Sequence, residues 1–148
     1  MYVDLHFAQF NIHVDMYDIV VYNGYAVRYY RRKNRGVSVK RTFVHTAPFI
    51  KSWKMMGLNV EDDLRRLEAE LLSDPQLGDV IEGTGGARKM RIQLEARGKS
   101  GGARVIYLDV FEKEHLYLLF AYPKNVQEDM TPEQKKNIKR MIEAIKKE

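Results

Sequence analysis

The chain has no cysteine among its 148 residues, only four prolines and a single tryptophan. Without cysteine there is no disulfide scaffold, no thiolate zinc site and no cysteine nucleophile. No apolar run approaches the ~20 residues that a membrane-spanning helix needs. The N-terminus does not show the basic start and unbroken apolar stretch of a signal peptide. The histidines, His6, His13, His45 and His115, are scattered, and no H-E-x-x-H is present. Neither a metal site nor a cofactor is therefore expected, and the expected place of work is the cytoplasm. What remains is a length that suits one ordinary domain with a real hydrophobic core.

The net charge of +5 is unevenly spread. Between Gly83 and Arg104 stand six basic residues, Arg88, Lys89, Arg91, Arg97, Lys99 and Arg104, against one acidic residue, Glu95. This short stretch holds an excess equal to that of the whole chain. A field concentrated in this way attracts a polyanion, whereas the same charges dispersed would do little beyond solvating the surface.

From residue 37 onward the local signals agree with one another. Val39 to His45 reads as a strand. Ala47 to Met56 reads as a short helix opened after Thr46 and closed before Gly57. Asn59 is placed to cap a second helix, Glu61–Leu72, whose inner face carries Leu64, Leu67, Leu71 and Leu72 and which Ser73-Asp74-Pro75 ends. Arg88–Leu94, Ala103–Phe111 and His115–Tyr122 read as strands, the last two joined tightly through Glu112-Lys113-Glu114. Thr131-Pro132-Glu133-Gln134 is a capping box with proline at the first helical position. Ile138, Met141, Ile142 and Ile145 then stripe one face of a final helix. The order is β-α-α-β-β-β-α, an α+β fold with helices packed on a mostly antiparallel twisted sheet.

Residues 1–36 differ in character. They hold six of the nine tyrosines. Asp18–Tyr22, Asn23-Gly24 and Tyr25–Val27 read as a hairpin with a type I′ turn. Two readings stand for this extension, an accessory hairpin or a mis-set start. The second is favoured by Arg31-Arg32-Lys33, which a purine-rich stretch resembling a ribosome-binding site can encode, with Val37 following at a suitable distance. The organisation expected is an extension over 1–36 and one domain over 37–148.

Several motifs have ordinary explanations. Gly83-Thr84-Gly85-Gly86 is no dinucleotide fingerprint, because Arg88 stands where the third glycine belongs and a strand follows. Gly98-Lys99-Ser100 imitates the end of a P-loop, but the first glycine would fall at Gln93. Both clusters read as tight turns. Glu61, Asp62 and Asp63 favour a helix start rather than forming a catalytic pair. Met55, Met56, Met90 and Met141 read as core, and Trp53 as a packing anchor. Strand parity is more informative. Met90, Ile92 and Leu94 share one face, while Lys89, Arg91 and Gln93 share the other, which is expected to be uncovered. Arg104 opens the next strand and Lys124 follows the last, so three strands are expected to present cations on one concave face.

Three blocks carry a family resemblance. They are Leu77 to Arg91, Arg97 to Tyr107, and Leu118 to Asn125 followed by Asp129-Met130-Thr131. Together, over about residues 39–148, they resemble the RelE/HigB toxins of bacterial type II toxin–antitoxin modules. The resemblance implies a compact fold of the order derived above and a ribosome-dependent endoribonuclease that cuts mRNA in the A site. It also implies a cognate antitoxin, expected to be of helix-turn-helix type, through which alone operator DNA would be met. Lys89 and Arg91 match the family's basic pair, Arg104 the arginine opening the next strand, and Lys124 the basic end of the last strand. Arg88, Arg97 and Lys99 would grip RNA phosphates. No tyrosine follows Tyr122, although many RelE proteins have a functional one in the C-terminal region. A non-catalytic RNA- or ribosome-binding module and a gyrase-poisoning toxin on the same fold are the alternatives.

RNA cleaves itself when its 2′-OH attacks the adjacent phosphate, given a base, charge stabilisation at phosphorus and an acid for the leaving oxygen. Like charges around a lysine disfavour its charged form, which makes Lys89, beside Arg88 and Arg91, the expected base. Arg91 and Arg104 would stabilise the phosphorane, because guanidinium matches phosphate bidentately. Lys124 would assist the leaving group.

Overall fold

The computed structural model describes residues 3–7, 12–22, 25–34, 37–58, 62–93 and 102–148, with side chains over 41–58, 62–93 and 102–148. Its strands are β1 Val3–Phe7, β2 Ile12–Tyr22, β3 Tyr25–Asn34, β4 Val37–His45, β5 Asp79–Val80, β6 Arg88–Ile92, β7 Ala103–Val110 and β8 His115–Pro123. They form one sheet in the order β1-β2-β3-β4-β8-β7-β6-β5. Neighbours are antiparallel except β4 and β8, which run parallel. The five strands β4 to β8, with three helices, make the α+β arrangement expected from the sequence. The two-residue strand β5 is an addition to the expected order. In the extension, Tyr22 pairs with Tyr25 between β2 and β3, the register of a two-residue connection. Asn23 and Gly24 themselves lie outside the described residues.

Alternation along the strands divides the core in two. On one side α1 (Ala47–Met55) and α2 (Asp63–Ser73) cover Phe43, Met90, Val105, Tyr107, Leu116 and Leu118. On the other α3 (Pro132–Lys147) covers Val44, Ile106, Leu108, Tyr117 and Leu119 with Ile138, Ile142 and Ile145. Trp53 and all four leucines of the α2 stripe are buried. Met55 is not core: it is 78% exposed, because α1 turns that side to solvent while Phe49 and Trp53 face the sheet. α2 starts at Asp63 with Asp62 as its N-cap, later than expected, and Asn59 and Glu61 lie outside the described residues. Glu68 on α2 meets His45 at the end of β4, both side chains fully buried, which ties the helix to the sheet.

Thr131 and Gln134 complete the capping box of α3 reciprocally. Thr131→Ala should cost about 1 kcal/mol, read as a lowering of the melting temperature by a few degrees. An unchanged melting temperature would mean that the box is not formed. The first glycine cluster is a turn from β5 to β6. Gly83, Gly85 and Gly86 have φ of 78°, 86° and 118°, a region that only glycine enters freely. The Lys146 ammonium donates to the Gly85 carbonyl at 2.6 Å and fastens the end of α3 to it.

Candidate functional site

The side chains of β6 alternate as expected, with Met90 and Ile92 buried and Arg91 exposed. Across the sheet Arg91 stands opposite Arg104 on β7, and Arg104 stands opposite Tyr122 on β8. Directly opposed residues share a face, so these three side chains form one row over three strands. One step along the strands a second row runs from Lys89 through Ile106 to Phe120. The row deepens inward, since Arg91 is exposed whereas Arg104 and Tyr122 keep only 4% and 3% of their surface.

Tyr122 reaches this face because β8 carries an irregularity. Ile106 pairs with Phe120 and Tyr107 with Leu118, which leaves Leu119 as an extra residue. Such a bulge reverses the parity of everything beyond it. Leu116 and Leu118 lie against α1 and α2, whereas Phe120 and Tyr122 lie on the α3 side. Strict alternation over His115–Tyr122 would have put all four together, so the sequence reading did not find Tyr122 as part of the cationic face. The bulge is not signalled by any residue of β8.

The expected uncovered face is in fact partly roofed. α3 packs over its far end, and residues 124–131 cross its near end. From that segment Asp129 reaches Lys89, whose ammonium donates to the carboxylate at 2.5 Å. The Lys89 bond and charge hold the Asp129 carboxyl below its ordinary value, with smaller contributions from Lys135 and Arg104. Burial pushes the Tyr122 hydroxyl up, and the Asp129 charge adds to this while Arg104 opposes it. The Tyr122 hydroxyl donates to the Glu128 carbonyl at 3.4 Å.

Arg88 is not part of this group. It pairs with Tyr107 on the opposite face, and its guanidinium donates to the carbonyls of Gly78 at 2.8 Å and Gln76 at 3.3 Å. It staples the chain ahead of β5, where the Gly78 amide also donates to the Tyr107 hydroxyl at 2.8 Å. Lys124 is exposed just beyond β8, its amide bonded to the Gly102 carbonyl. Arg97 and Lys99 lie outside the described residues. The structure therefore gathers Lys89, Arg91 and Arg104, adds Tyr122 and Asp129, places Lys124 beyond the strand end and sends Arg88 elsewhere.

The family model for the RelE toxin of the RelE/RelB toxin–antitoxin system matches residues 65–147. The chain belongs to the RelE toxin family. The matched span holds most of α2, all of β5 to β8 and α3, and so every residue of the cationic face. As a toxin of a toxin–antitoxin module, this RelE-family protein has a cognate antitoxin as its implied partner. No helix among the described residues is long and apolar enough to cross a membrane. A different buried arginine of the toxin, Arg41, is engaged by Asp109 at 2.9 and 3.4 Å and lies over the Phe111 ring. That pairing makes it a structural cation of the β4–β7 region and sets it apart from Arg104.

Proposed function

We propose that this RelE-family toxin cuts mRNA on the ribosome in the cytoplasm, by attack of a 2′-OH on the adjacent phosphate without a metal ion, and so arrests translation. The row Arg91, Arg104 and Tyr122, with Lys89 beside it, carries this reading. Two guanidinium groups on neighbouring strands suit the non-bridging oxygens of one phosphate as negative charge builds at phosphorus. Arg104 is already out of water, so its attraction for that charge is screened little.

Lys89 enters this scheme as a phosphate ligand. Its ammonium is bonded to the Asp129 carboxylate, and Arg88 is turned to the other face. The attacking 2′-OH gives up its proton to solvent water at the exposed side of the face as the 2′-oxygen–phosphorus bond forms. Tyr122, which keeps its proton and stands at the buried end of the row, is suited to protonate the 5′-oxygen as its bond to phosphorus breaks. Lys124, exposed just beyond β8, adds electrostatic attraction for the RNA backbone, and Arg97 and Lys99 add to it through their charge alone. The ribosome supplies the alignment that a shallow face cannot supply alone.

Primer extension on mRNA from cells expressing the toxin tests the proposal. Discrete new 5′ ends inside codons are expected, and Tyr122→Phe should weaken them by roughly 10²-fold without moving them. Arrested translation with intact mRNA would mean a blocking module instead. DNA damage with intact mRNA would mean a gyrase poison. Full-strength cleavage by Tyr122→Phe would remove Tyr122 from the chemistry.

A further inference from the structure

The contact between Lys89 and Asp129 joins residues 40 apart in sequence, on the face that also carries Arg91 and Arg104. The segment that delivers Asp129 is held on both sides of it. Before it, the Val126 amide bonds the Pro123 carbonyl, and the Tyr122 hydroxyl bonds Glu128. The Gln127 amide group donates to the Asp129 carbonyl at 3.1 Å and to Gln134 at 2.8 Å. After it, Met130 is buried in the α3 core, and Thr131 caps α3. The backbone of Asp129 is thus fixed by neighbours, while its carboxylate is 70% exposed and turned to the Lys89 ammonium.

A carboxylate so placed has consequences for an anion arriving at the same face. A carboxylate oxygen and a phosphate oxygen use the same N–H donors, and both cannot hold Lys89 in the same direction. A phosphate brought near also meets the negative charge of Asp129. Asp79, opposite Lys89 on the edge strand β5, adds a second exposed carboxylate nearby, but the ammonium is bonded to Asp129.

We propose that Asp129 is a resident counter-ion at the phosphate position of Lys89, which incoming RNA must displace, so that the toxin discriminates against loose single strands in favour of RNA presented in register. The inference rests on the reading of this face as an RNA-binding surface. It assigns Asp129 a role in selecting the substrate and no part in the bond-making step. RNA already aligned on the ribosome brings its other contacts with it and tolerates the cost of displacement. A free strand has fewer such contacts and is held back.

The test is binding of a fluorescent single-stranded oligonucleotide, 2′-O-methylated so that it cannot be cut, to the full chain over a range of salt. Asp129→Asn keeps an oxygen that can accept from Lys89 and removes only the charge. It should bind about two- to fivefold tighter, the range of an exposed ion pair. Its salt slope should steepen by roughly 0.7, as for one further phosphate neutralised on a single strand. In a Lys89→Ala background the same change should lose most of its effect. A gain of equal size in both backgrounds, or no gain at all while Arg91→Ala still weakens binding, overturns the inference alone. Binding indifferent to both Arg91→Ala and Asp129→Asn removes RNA from this face and takes the functional reading with it. Melting temperatures of all variants should match the wild type, since the substituted side chains lie wholly or partly in solvent.

Discussion

Arg104→Ala should reduce mRNA cleavage by about 10²–10³-fold, the cost of removing one well-placed stabiliser of transition-state charge, and abolish growth arrest with it. The expectation follows from position. Arg104 lies on β7, with Arg91 opposite on one side and Tyr122 on the other, and only 4% of its surface reaches water. A guanidinium held there has already given up most of its hydration, so phosphate gains nearly the full interaction when it arrives. Stability should move in no such way, because a buried charge is at best a weak contributor to folding. Arg104→Lys keeps the charge but loses the planar fork, and should fall between wild type and alanine. The readings are primer-extension band intensity, colony formation on induction, and a thermal melt for each variant. Persistent toxicity and cleavage in Arg104→Ala would place the active site elsewhere.

Trp53→Ala should have the largest effect on stability, about 3–5 kcal/mol. Trp53 is fully buried on α1 and meets the Phe49 ring at a centroid distance of 5.3 Å, between the sheet and the α2 leucines. Truncation leaves a cavity at the point where α1, α2 and the sheet converge. A domain of this size is stabilised by only about 5–15 kcal/mol in total. The variant should therefore unfold at a much lower denaturant concentration, with the slope of the transition kept if unfolding stays two-state. A midpoint shift worth less than about 1 kcal/mol, far below the range for a buried tryptophan, would show that α1 does not close over the core in this way.

Much of the frame was readable along the chain, where a local rule was enough. The capping box at Thr131 and the isoleucine stripe behind it mark α3 because helix start and helix face are properties of four to eight consecutive residues. The leucines of α2 mark its buried side for the same reason, although its first turn began later than the caps suggested. On β6 the short alternation from Lys89 to Ile92 was enough to separate the cations from the core.

The cationic face was only half legible. Arg91 and Lys89 follow from parity, but Arg88 does not contribute, because carbonyls of Gln76 and Gly78 take its guanidinium on the other face. Tyr122 was concealed by the extra residue at Leu119, since one inserted residue exchanges inside for outside without altering composition. Asp129 was concealed by distance, because nothing local distinguishes a carboxylate in solvent from one that meets a lysine 40 residues away.

By itself the sequence determined an α+β chain without thiol chemistry, a concentration of positive charge over Gly83–Arg104, and the residue patterns that mark its family. These are properties of composition, period and spacing, and they survive any arrangement in space. Only the tertiary structure decided which cations converge, that a tyrosine joins them and that an aspartate stands among them. Those outcomes depend on strand register, a bulge and a long-range ion pair, each set by the packing of segments far apart in the chain.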